Sequence, residues 1–229
     1  MLERARVDAV LLDAGGVLLL PSPEGMRRAV APFGAEPDDA ACFRAHYAST
    51  NALDDLEVVD WRAVDRVLAR ALGVPEDHLD EAADAIGGVY LSEAWVPVPG
   101  AAEALRAFQA SGYRLAVVSN ALGTMEAQLA GHEICSTAGG AAAEVSIVVD
   151  SAVVGVEKPD PRIFGFALDA LRLPPDRCIY VGDTTYFDVA GAAAAGLLPV
   201  HLDPFGDCPH AAHLHARGLD ELLEVLVVR

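Results

Sequence analysis

Polar side chains that can do chemistry follow three short apolar runs of this sequence. They are Asp13 after residues 7–12, Ser119 and Asn120 after residues 113–118, and Asp183 after residues 178–181. Lys158 stands before the segment that leads into the third run. A carboxylate can attack an electrophile or bind a cation, whereas an ammonium or a hydroxyl can stabilise a negative charge. These residue types together suit reactions on an anionic substrate.

The segments between these runs show apolar residues at intervals of three and four, which is typical of helices with one buried face. Short apolar strands separated by such helices predict right-handed βαβ units and a parallel sheet. We predict strands at 7–12, 113–118, 145–149, 178–181 and 199–202. Because ligands of parallel α/β sheets bind beyond the carboxyl ends of the strands, the polar residues above should meet at one rim.

Each of these residues also has a simpler explanation when it is considered alone. An aspartate or serine after a strand is often a turn former or a helix cap, and a lysine is usually a surface residue. Lys158, however, is the only lysine among 16 basic residues. A composition that excludes lysine elsewhere favours a task for which the compact ammonium is needed.

Four segments resemble, in order, the four motifs of the haloacid dehalogenase-like superfamily. They are residues 13–17 (DAGGV), 117–120 (VVSN), 155–164 (GVEKPDPRIF) and 182–192 (GDTTYFDVAGA). The resemblance implies a Rossmann-like α/β core, residues 1–17 and 97–229, with a parallel sheet of strand order 5-4-1-2-3. The all-helical stretch 18–96 would be an inserted cap domain of the C1 type, which closes over the substrate and selects it.

The resemblance also implies a Mg²⁺-dependent hydrolase, with a small phosphorylated metabolite as the expected substrate. Asp13 would be the nucleophile that forms an aspartyl-phosphate, and Lys158 would hold Asp13 and neutralise the transferring group. Ser119, Asn120, Gly15 and Gly16 would bind phosphate oxygens, with Ser119 assisting catalysis. The implied Mg²⁺ ligands are Asp13, the carbonyl oxygen of Gly15, Asp183, and Asp188 directly or through water.

The first motif departs from the family pattern at Gly15, where a second aspartate usually protonates the leaving oxygen. General acid–base catalysis contributes about 10²–10⁴ in rate. The enzyme could use a better leaving group, such as an anomeric sugar phosphate, or another proton donor. It could instead cleave another bond, or bind a phosphorylated metabolite with little or no turnover.

Two of the alternative chemistries leave signs in the sequence. Haloacid dehalogenases of this superfamily also lack the second aspartate, but they lose the acidic pair of the fourth motif, which is kept here as Asp183 and Asp188. Phosphonoacetaldehyde hydrolases need a Schiff-base lysine from the cap, and residues 1–157 contain no lysine. The sequence therefore favours a phosphatase over a dehalogenase.

The net charge of −18 argues against nucleic acid and membrane surfaces as partners. The absence of a secretory signal or an apolar run of membrane-spanning length predicts a cytoplasmic protein, which could be a monomer or a homodimer. Four scattered cysteines predict reduced thiols. Cys208, His210, His213 and His215 could suggest a second metal site, but they lack a recognised spacing and we favour a solvated loop. The residues Arg27, Arg28, Arg44, His46 and Tyr47 of the cap could recognise substrate, but we favour ordinary helix-face residues.

Overall fold

The computed structural model describes residues 7–55, 59–91, 95–210 and 212–227. The chain divides into two compact units, one formed by Met1–Leu18 with Pro97–Arg229 and the other by Leu19–Val96. Residues 1–6, where we expect no secretory signal, lie outside the described part. We call the two parts the sheet unit and the helical unit.

The strands, in chain order, are β1 (Ala9–Leu12), β2 (Leu19–Pro21), β3 (Trp95–Pro97), β4 (Arg114–Ser119), β5 (Cys135–Ser136), β6 (Ala143–Glu144), β7 (Val148–Asp150), β8 (Cys178–Gly182), β9 (Leu198–Leu202) and β10 (Leu214–Ala216). The α-helices are α1 (Pro23–Val30), α2 (Asp39–Asn51), α3 (Trp61–Ala71), α4 (Leu79–Tyr90), α5 (Ala101–Ala110), α6 (Met125–Gly131), α7 (Ser151–Val154), α8 (Arg162–Leu171), α9 (Ala190–Ala194) and α10 (Leu219–Val227). A π-helical turn, Thr185–Val189, leads directly into α9.

The sheet unit is built on a six-stranded sheet in the order β10-β9-β8-β1-β4-β7. Every pairing in it is parallel, with Leu12 in register with Val117 on one side and Val181 on the other. All four residues of β1 are fully buried, which explains why this strand is apolar on both faces. Helix α8 packs on one face of the sheet, where Phe164 contacts Tyr180 edge to face.

The helical unit contains α1 to α4 around its own apolar core. Side chains N-cap three of these helices: Ser22 for α1, Asp38 for α2 and Asp60 for α3. The buried faces of these helices meet in a cluster that includes Met26 and Leu68. Strands β2 and β3 pair with each other in a separate two-stranded sheet.

The predicted α/β fold with a parallel central sheet is confirmed. The five predicted strands correspond to β1, β4, β7, β8 and β9, and their order in the sheet is the predicted 5-4-1-2-3. The sixth strand, β10, and the small parallel pair β5–β6 were not predicted. The pair β2–β3 was not predicted either, so the expectation that residues 18–96 are all-helical is wrong at the two ends of that stretch. No helix in the described part of the chain combines the length and the apolar character that crossing a membrane requires.

Candidate active site

The predicted polar residues lie at the carboxyl ends of adjacent strands. Asp13 directly follows β1, and its backbone N–H donates a hydrogen bond to the carbonyl oxygen of Val181 in β8 (2.8 Å). Asp183 directly follows β8, and Ser119 is the last residue of β4. All three are buried. Parallel pairing therefore brings residues that are up to 170 positions apart in the sequence to one rim of the sheet.

The ammonium group of Lys158 joins two carboxylates at this rim. Its Nζ lies 2.8 Å from Oδ2 of Asp13 and 2.7 Å from Oδ1 of Asp188. It also donates to the hydroxyl of Tyr180 at 3.0 Å. The side chain of Lys158 is only 2% exposed, so it is a buried cation held by buried acids, and the surface-lysine interpretation is wrong.

Asp188 is held rigidly by the chain around it. Its Oδ2 accepts hydrogen bonds from the backbone N–H of Thr184 (3.0 Å) and from the hydroxyl of Thr184 (2.6 Å). Its Oδ1 receives Lys158 and lies 3.1 Å from the hydroxyl of Tyr180. Asp188 follows Thr184 by four residues, and the π-helical turn Thr185–Val189 brings its carboxylate back to Thr184 so that these bonds form. Because both carboxylate oxygens accept protein donors, Asp188 is well placed to orient Lys158.

The turn after β1 is tight and carries no bulky side chain. Oδ1 of Asp13 accepts a hydrogen bond from the backbone N–H of Ala14 (2.7 Å), which fixes the plane of the carboxylate. The N–H of Leu18 then closes the turn on the carbonyl oxygen of Ala14 (2.8 Å). Gly16 has a φ of +70°, a left-handed conformation that favours glycine. Gly15 and Gly16 thus place no side chain beside Asp13.

The acids of the rim carry more negative charge than Lys158 can neutralise. Burial, aided by the carboxylates of Asp188 and Asp183, raises the pKa of Asp13 to about 7, although Lys158 acts in the opposite direction. Burial alone would lower the pKa of Lys158, but Asp13 and Asp188 raise it above its ordinary value. Lys158 therefore stays charged, whereas the carboxyl group of Asp13 has a pKa close to neutral pH.

The same acids form a set that fits a divalent cation. Asp13, Asp183 and Asp188 each offer a carboxylate oxygen, and these oxygens lie within 4.8 Å of one another. Hard cations such as Mg²⁺ prefer oxygen ligands of this kind. Three buried carboxylates beside one ammonium leave a formal excess of negative charge, which a divalent ion would balance.

The side chain of Asn120 is engaged with the backbone of Lys158. Its carboxamide nitrogen donates to the carbonyl oxygen of Lys158 (3.0 Å), and its carboxamide oxygen accepts the N–H of Lys158 (2.7 Å). This pair of bonds fixes the backbone from which the side chain of Lys158 extends. The structure thus gives Asn120 a positioning task that sequence reasoning did not foresee; its binding of phosphate stays a prediction.

Tyr180 and Thr184 were also missed from the sequence. The hydroxyl of Tyr180 donates to the carbonyl oxygen of Val118 (2.9 Å) and thereby ties Lys158 to β4. Burial and the nearby acids raise the pKa of Tyr180 well above its usual value, so the hydroxyl stays protonated. Its position inside an otherwise apolar strand could have pointed to it, because the hydroxyl of a buried tyrosine needs a hydrogen-bond partner.

Comparison with known proteins identifies the family. The sequence model described as haloacid dehalogenase-like hydrolase matches residues 7–196, a span that includes every residue of the rim described above. The chain belongs to the haloacid dehalogenase-like hydrolases. The resemblance inferred from the four motifs is therefore confirmed.

Two curated relatives of this hydrolase are phosphatases. A phosphoserine phosphatase of Thermus thermophilus is 44% identical over 64 residues, which are 28% of this chain and 26% of that protein. A glyceraldehyde 3-phosphate phosphatase of Methanopyrus kandleri is 44% identical over 55 residues, 24% of each chain. The chain spans between about a quarter and about half of the length of the first curated relatives it matches.

Solved structures extend the likeness of this hydrolase to the whole chain. A dehalogenase solved with an intermediate complex has a TM-score of 0.62 at 23% identity, covering 97% of this chain and 98% of that one. An identity this low shows a shared fold and says nothing about a shared reaction.

Proposed function

We propose that this hydrolase is a Mg²⁺-dependent phosphatase that acts on a small phosphorylated metabolite through a covalent aspartyl-phosphate on Asp13. The observation that supports this most strongly is the ammonium of Lys158 between the carboxylates of Asp13 and Asp188, with Asp183 beside them. The phosphatases among the relatives agree with this assignment. We assign residues 18–96 the role of a cap domain.

The reaction would proceed in two displacements at phosphorus. A carboxylate oxygen of Asp13 attacks the phosphorus atom, a new P–O bond to Asp13 forms, and the ester P–O bond breaks as the leaving oxygen takes a proton from water. Water then attacks the same phosphorus and releases inorganic phosphate, restoring the carboxylate of Asp13. Splitting one difficult hydrolysis into two steps is the general advantage of a covalent intermediate.

The remaining rim residues would prepare this attack. Lys158 holds the carboxylate of Asp13 in place and offers positive charge to the phosphoryl oxygens, while Ser119 and the turn at Gly15 and Gly16 provide hydrogen-bond donors. Asp13, the Gly15 carbonyl, Asp183 and Asp188 would hold Mg²⁺, with Asp188 acting directly or through water. The ion supplies the positive charge that lets an anionic nucleophile approach an anionic substrate.

Gly15 constrains the substrate class. A phosphatase without a carboxylic acid at this position works best on esters whose alcohol leaves easily or that bring their own proton donor. Anomeric sugar phosphates have such leaving groups. We therefore expect higher turnover with sugar 1-phosphates than with simple alkyl phosphates.

The test is a phosphate-release assay on a panel of phosphomonoesters that includes sugar 1-phosphates, with Mg²⁺ and with a chelator. We expect turnover that needs Mg²⁺ and disappears in Asp13→Asn. The matched control is Asp169→Asn, which changes an exposed aspartate on α8 and should leave turnover intact. Turnover that persists in Asp13→Asn would contradict the proposal.

Two other results would point to different functions. Binding of phosphorylated metabolites without turnover would favour a non-catalytic binding protein, for which the missing acid at Gly15 is the relevant observation. Release of halide from 2-haloacids without a metal ion would favour a dehalogenase.

A further inference from the structure

Three imidazoles and a thiol lie together where β9 and β10 pair at one edge of the sheet. None of them belongs to the acidic rim, by which we mean Asp13, Asp183 and Asp188 with Lys158. His201 belongs to β9 and His215 to β10, and the two are register partners on these adjacent parallel strands. Residues in register on neighbouring strands project to the same face of a sheet. His213 directly precedes β10, and Cys208 lies in the loop between the two strands. We call these four residues the His/Cys cluster.

The potential ligand atoms of the His/Cys cluster lie at distances that suit one metal ion. One nitrogen or sulfur from each residue lies within 4.8 Å of all the others. Nε2 of His213 is 3.3 Å from Nδ1 of His201 and 3.7 Å from Sγ of Cys208. In a tetrahedral zinc site, with Zn–N near 2.05 Å and Zn–S near 2.3 Å, two nitrogens are about 3.3 Å apart and a nitrogen and a sulfur about 3.6 Å apart.

Two of the imidazoles have their protonation fixed by backbone carbonyls. Nε2 of His201 lies 3.2 Å from the carbonyl oxygen of Asp183, and Nε2 of His215 lies 2.7 Å from that of His210. Because a carbonyl oxygen only accepts, each Nε2 must carry the proton. In the neutral rings each Nδ1 then carries a lone pair, which a metal ligand requires. The hydrogen bond from Nε2 to the carbonyl oxygen orients the ring.

A buried aspartate shapes the loop that presents the thiol. Oδ1 of Asp203 accepts the backbone N–H groups of Gly206 (3.0 Å) and Asp207 (3.1 Å), and Oδ2 accepts that of Cys208 (3.0 Å). The same Oδ2 lies 3.6 Å from Nδ1 of His215. Asp203 therefore fixes the backbone at Cys208 and adds negative charge beside the His/Cys cluster, which favours a cation there.

We infer that His201, Cys208, His213 and His215 form a tetrahedral binding site for a divalent transition metal, with Zn²⁺ as the expected ion. Imidazole and thiolate are the ligands that zinc uses in structural sites, whereas Mg²⁺ prefers oxygen. On binding, the thiol of Cys208 loses its proton to solvent and the thiolate sulfur bonds to the metal. Four protein ligands complete the coordination, so the ion would tie β9, β10 and their connecting loop together.

The site also touches the acidic rim through one hydrogen bond. The ring of His201 that would bind zinc through Nδ1 holds the carbonyl oxygen of Asp183 through Nε2. Zinc at the His/Cys cluster would therefore help to fix the backbone at Asp183, without taking part in the reaction.

The test is metal analysis of the protein purified without chelators and dialysed, by inductively coupled plasma mass spectrometry. We expect close to one zinc per chain and a higher melting temperature with added Zn²⁺ but not with Mg²⁺. Co²⁺ replacing the zinc should give the visible absorption of a tetrahedral ion together with a thiolate-to-metal charge-transfer band. These readouts do not depend on the proposed phosphatase activity, and Asp13→Asn should retain the zinc.

Variants distinguish this site from nonspecific metal binding by histidines. Cys208→Ser and His213→Ala should lose stoichiometric zinc, and Asp203→Asn should weaken zinc binding by about 10–100-fold. His210→Ala is the matched control, because His210 lies exposed in the same loop outside the His/Cys cluster. Absence of zinc and of any Zn²⁺-dependent shift in melting temperature would overturn the inference. A Co²⁺ spectrum of the wild-type protein without the thiolate-to-metal band would also overturn it. This measurement does not depend on whether the variants fold.

Discussion

A β-carbon on Gly16 would lie 2.2 Å from Oδ2 of Asp183. The carboxylate of Asp183 therefore occupies the space that a side chain at Gly16 would need, and the two residues fit together only because one of them is glycine. Gly182 shows the same relationship to Asp188, since its β-carbon would lie 2.2 Å from Cγ of that residue. The acidic rim is thus packed against two glycines, Gly16 of the first motif and Gly182 of the fourth.

Gly16→Ala should displace Asp183. The new methyl group cannot share space with the carboxylate, and overpacking of this kind costs about 1–3 kcal/mol. We expect the variant to bind Mg²⁺ more weakly, so that half-maximal activity needs a higher Mg²⁺ concentration. We also expect a large fall in kcat/KM. Both are measured by Mg²⁺ titration of phosphate release. Gly112→Ala is the matched control, because Gly112 also has a positive φ but an added β-carbon there meets nothing within 4 Å. Equal effects in both variants would show that strain at φ, and not contact with Asp183, is responsible.

Replacing Lys158 by methionine should leave the buried carboxylates of Asp13 and Asp188 without their cation. Removing one partner of a buried ion pair typically costs about 3–5 kcal/mol of unfolding free energy, which urea unfolding would measure. Added Mg²⁺ should restore part of this loss. Arg28→Met removes an exposed ion pair with Glu24 and should change stability little. A Lys158→Met protein as stable as the wild type would contradict the bridging role.

Tyr180→Phe should reduce both stability and kcat. The variant loses the hydroxyl that joins Lys158 to Val118, a buried bond whose loss costs about 1–3 kcal/mol, and the ammonium becomes less well fixed. We expect kcat to fall with little change in KM. Tyr113→Phe is the control, because the hydroxyl of Tyr113 donates to the carbonyl oxygen of Leu226 (2.8 Å) away from the rim. That variant should lose stability but keep its kcat.

The pH dependence of kcat/KM should respond to Mg²⁺. Burial raises the pKa of Asp13 to about 7 in the protein without the ion, so the attacking carboxylate is protonated below that pH. At limiting Mg²⁺, activity should therefore rise with pH through about 7. Saturating Mg²⁺ favours the ionised form and should move the midpoint to lower pH. A midpoint that does not move between two Mg²⁺ concentrations would rule out Asp13 as the titrating group.

Gly15→Asp should restore a proton donor to the first motif. If the missing acid limits the rate, hydrolysis of alkyl phosphates should rise by up to about 10²–10⁴, while sugar 1-phosphates change little. Gly15→Asn is the control of similar size without an ionisable group. No gain over Gly15→Asn would mean that another group already protonates the leaving oxygen.

The sequence was sufficient to predict which residues meet at the rim, because parallel strands align their carboxyl ends whatever the distance in sequence. Asp13, Ser119 and Asp183 are brought together in this way. Asp188, which lies in the turn Thr185–Val189, was predicted at the rim only through the resemblance of residues 182–192 to the fourth motif. The tasks of Tyr180 and Asn120 could not be predicted, since they depend on which way a side chain turns once the strands are packed. Asn120 in particular contacts the backbone of Lys158, and no residue type signals a contact with a peptide group.

For the His/Cys cluster, the sequence favoured a solvated loop over a metal site at Cys208, His213 and His215, and His201 was missed. His201 lies in the predicted strand 199–202, but its partner in register, His215, lies in the short strand β10, which was not predicted. His210, which was grouped with them, lies exposed outside the set. Register between β9 and β10 decides which histidines meet, and sequence spacing does not reveal that register.

The single lysine of this chain has a practical consequence for labelling experiments. Since its ammonium is almost wholly inaccessible, amine-reactive acylating reagents find no lysine side chain on the surface of the folded protein. Acylation at position 158 would therefore report, by a mass shift on one peptide, how often the acidic rim opens to solvent. Ligands that keep this rim closed should slow that labelling, which gives a substrate screen that needs no turnover.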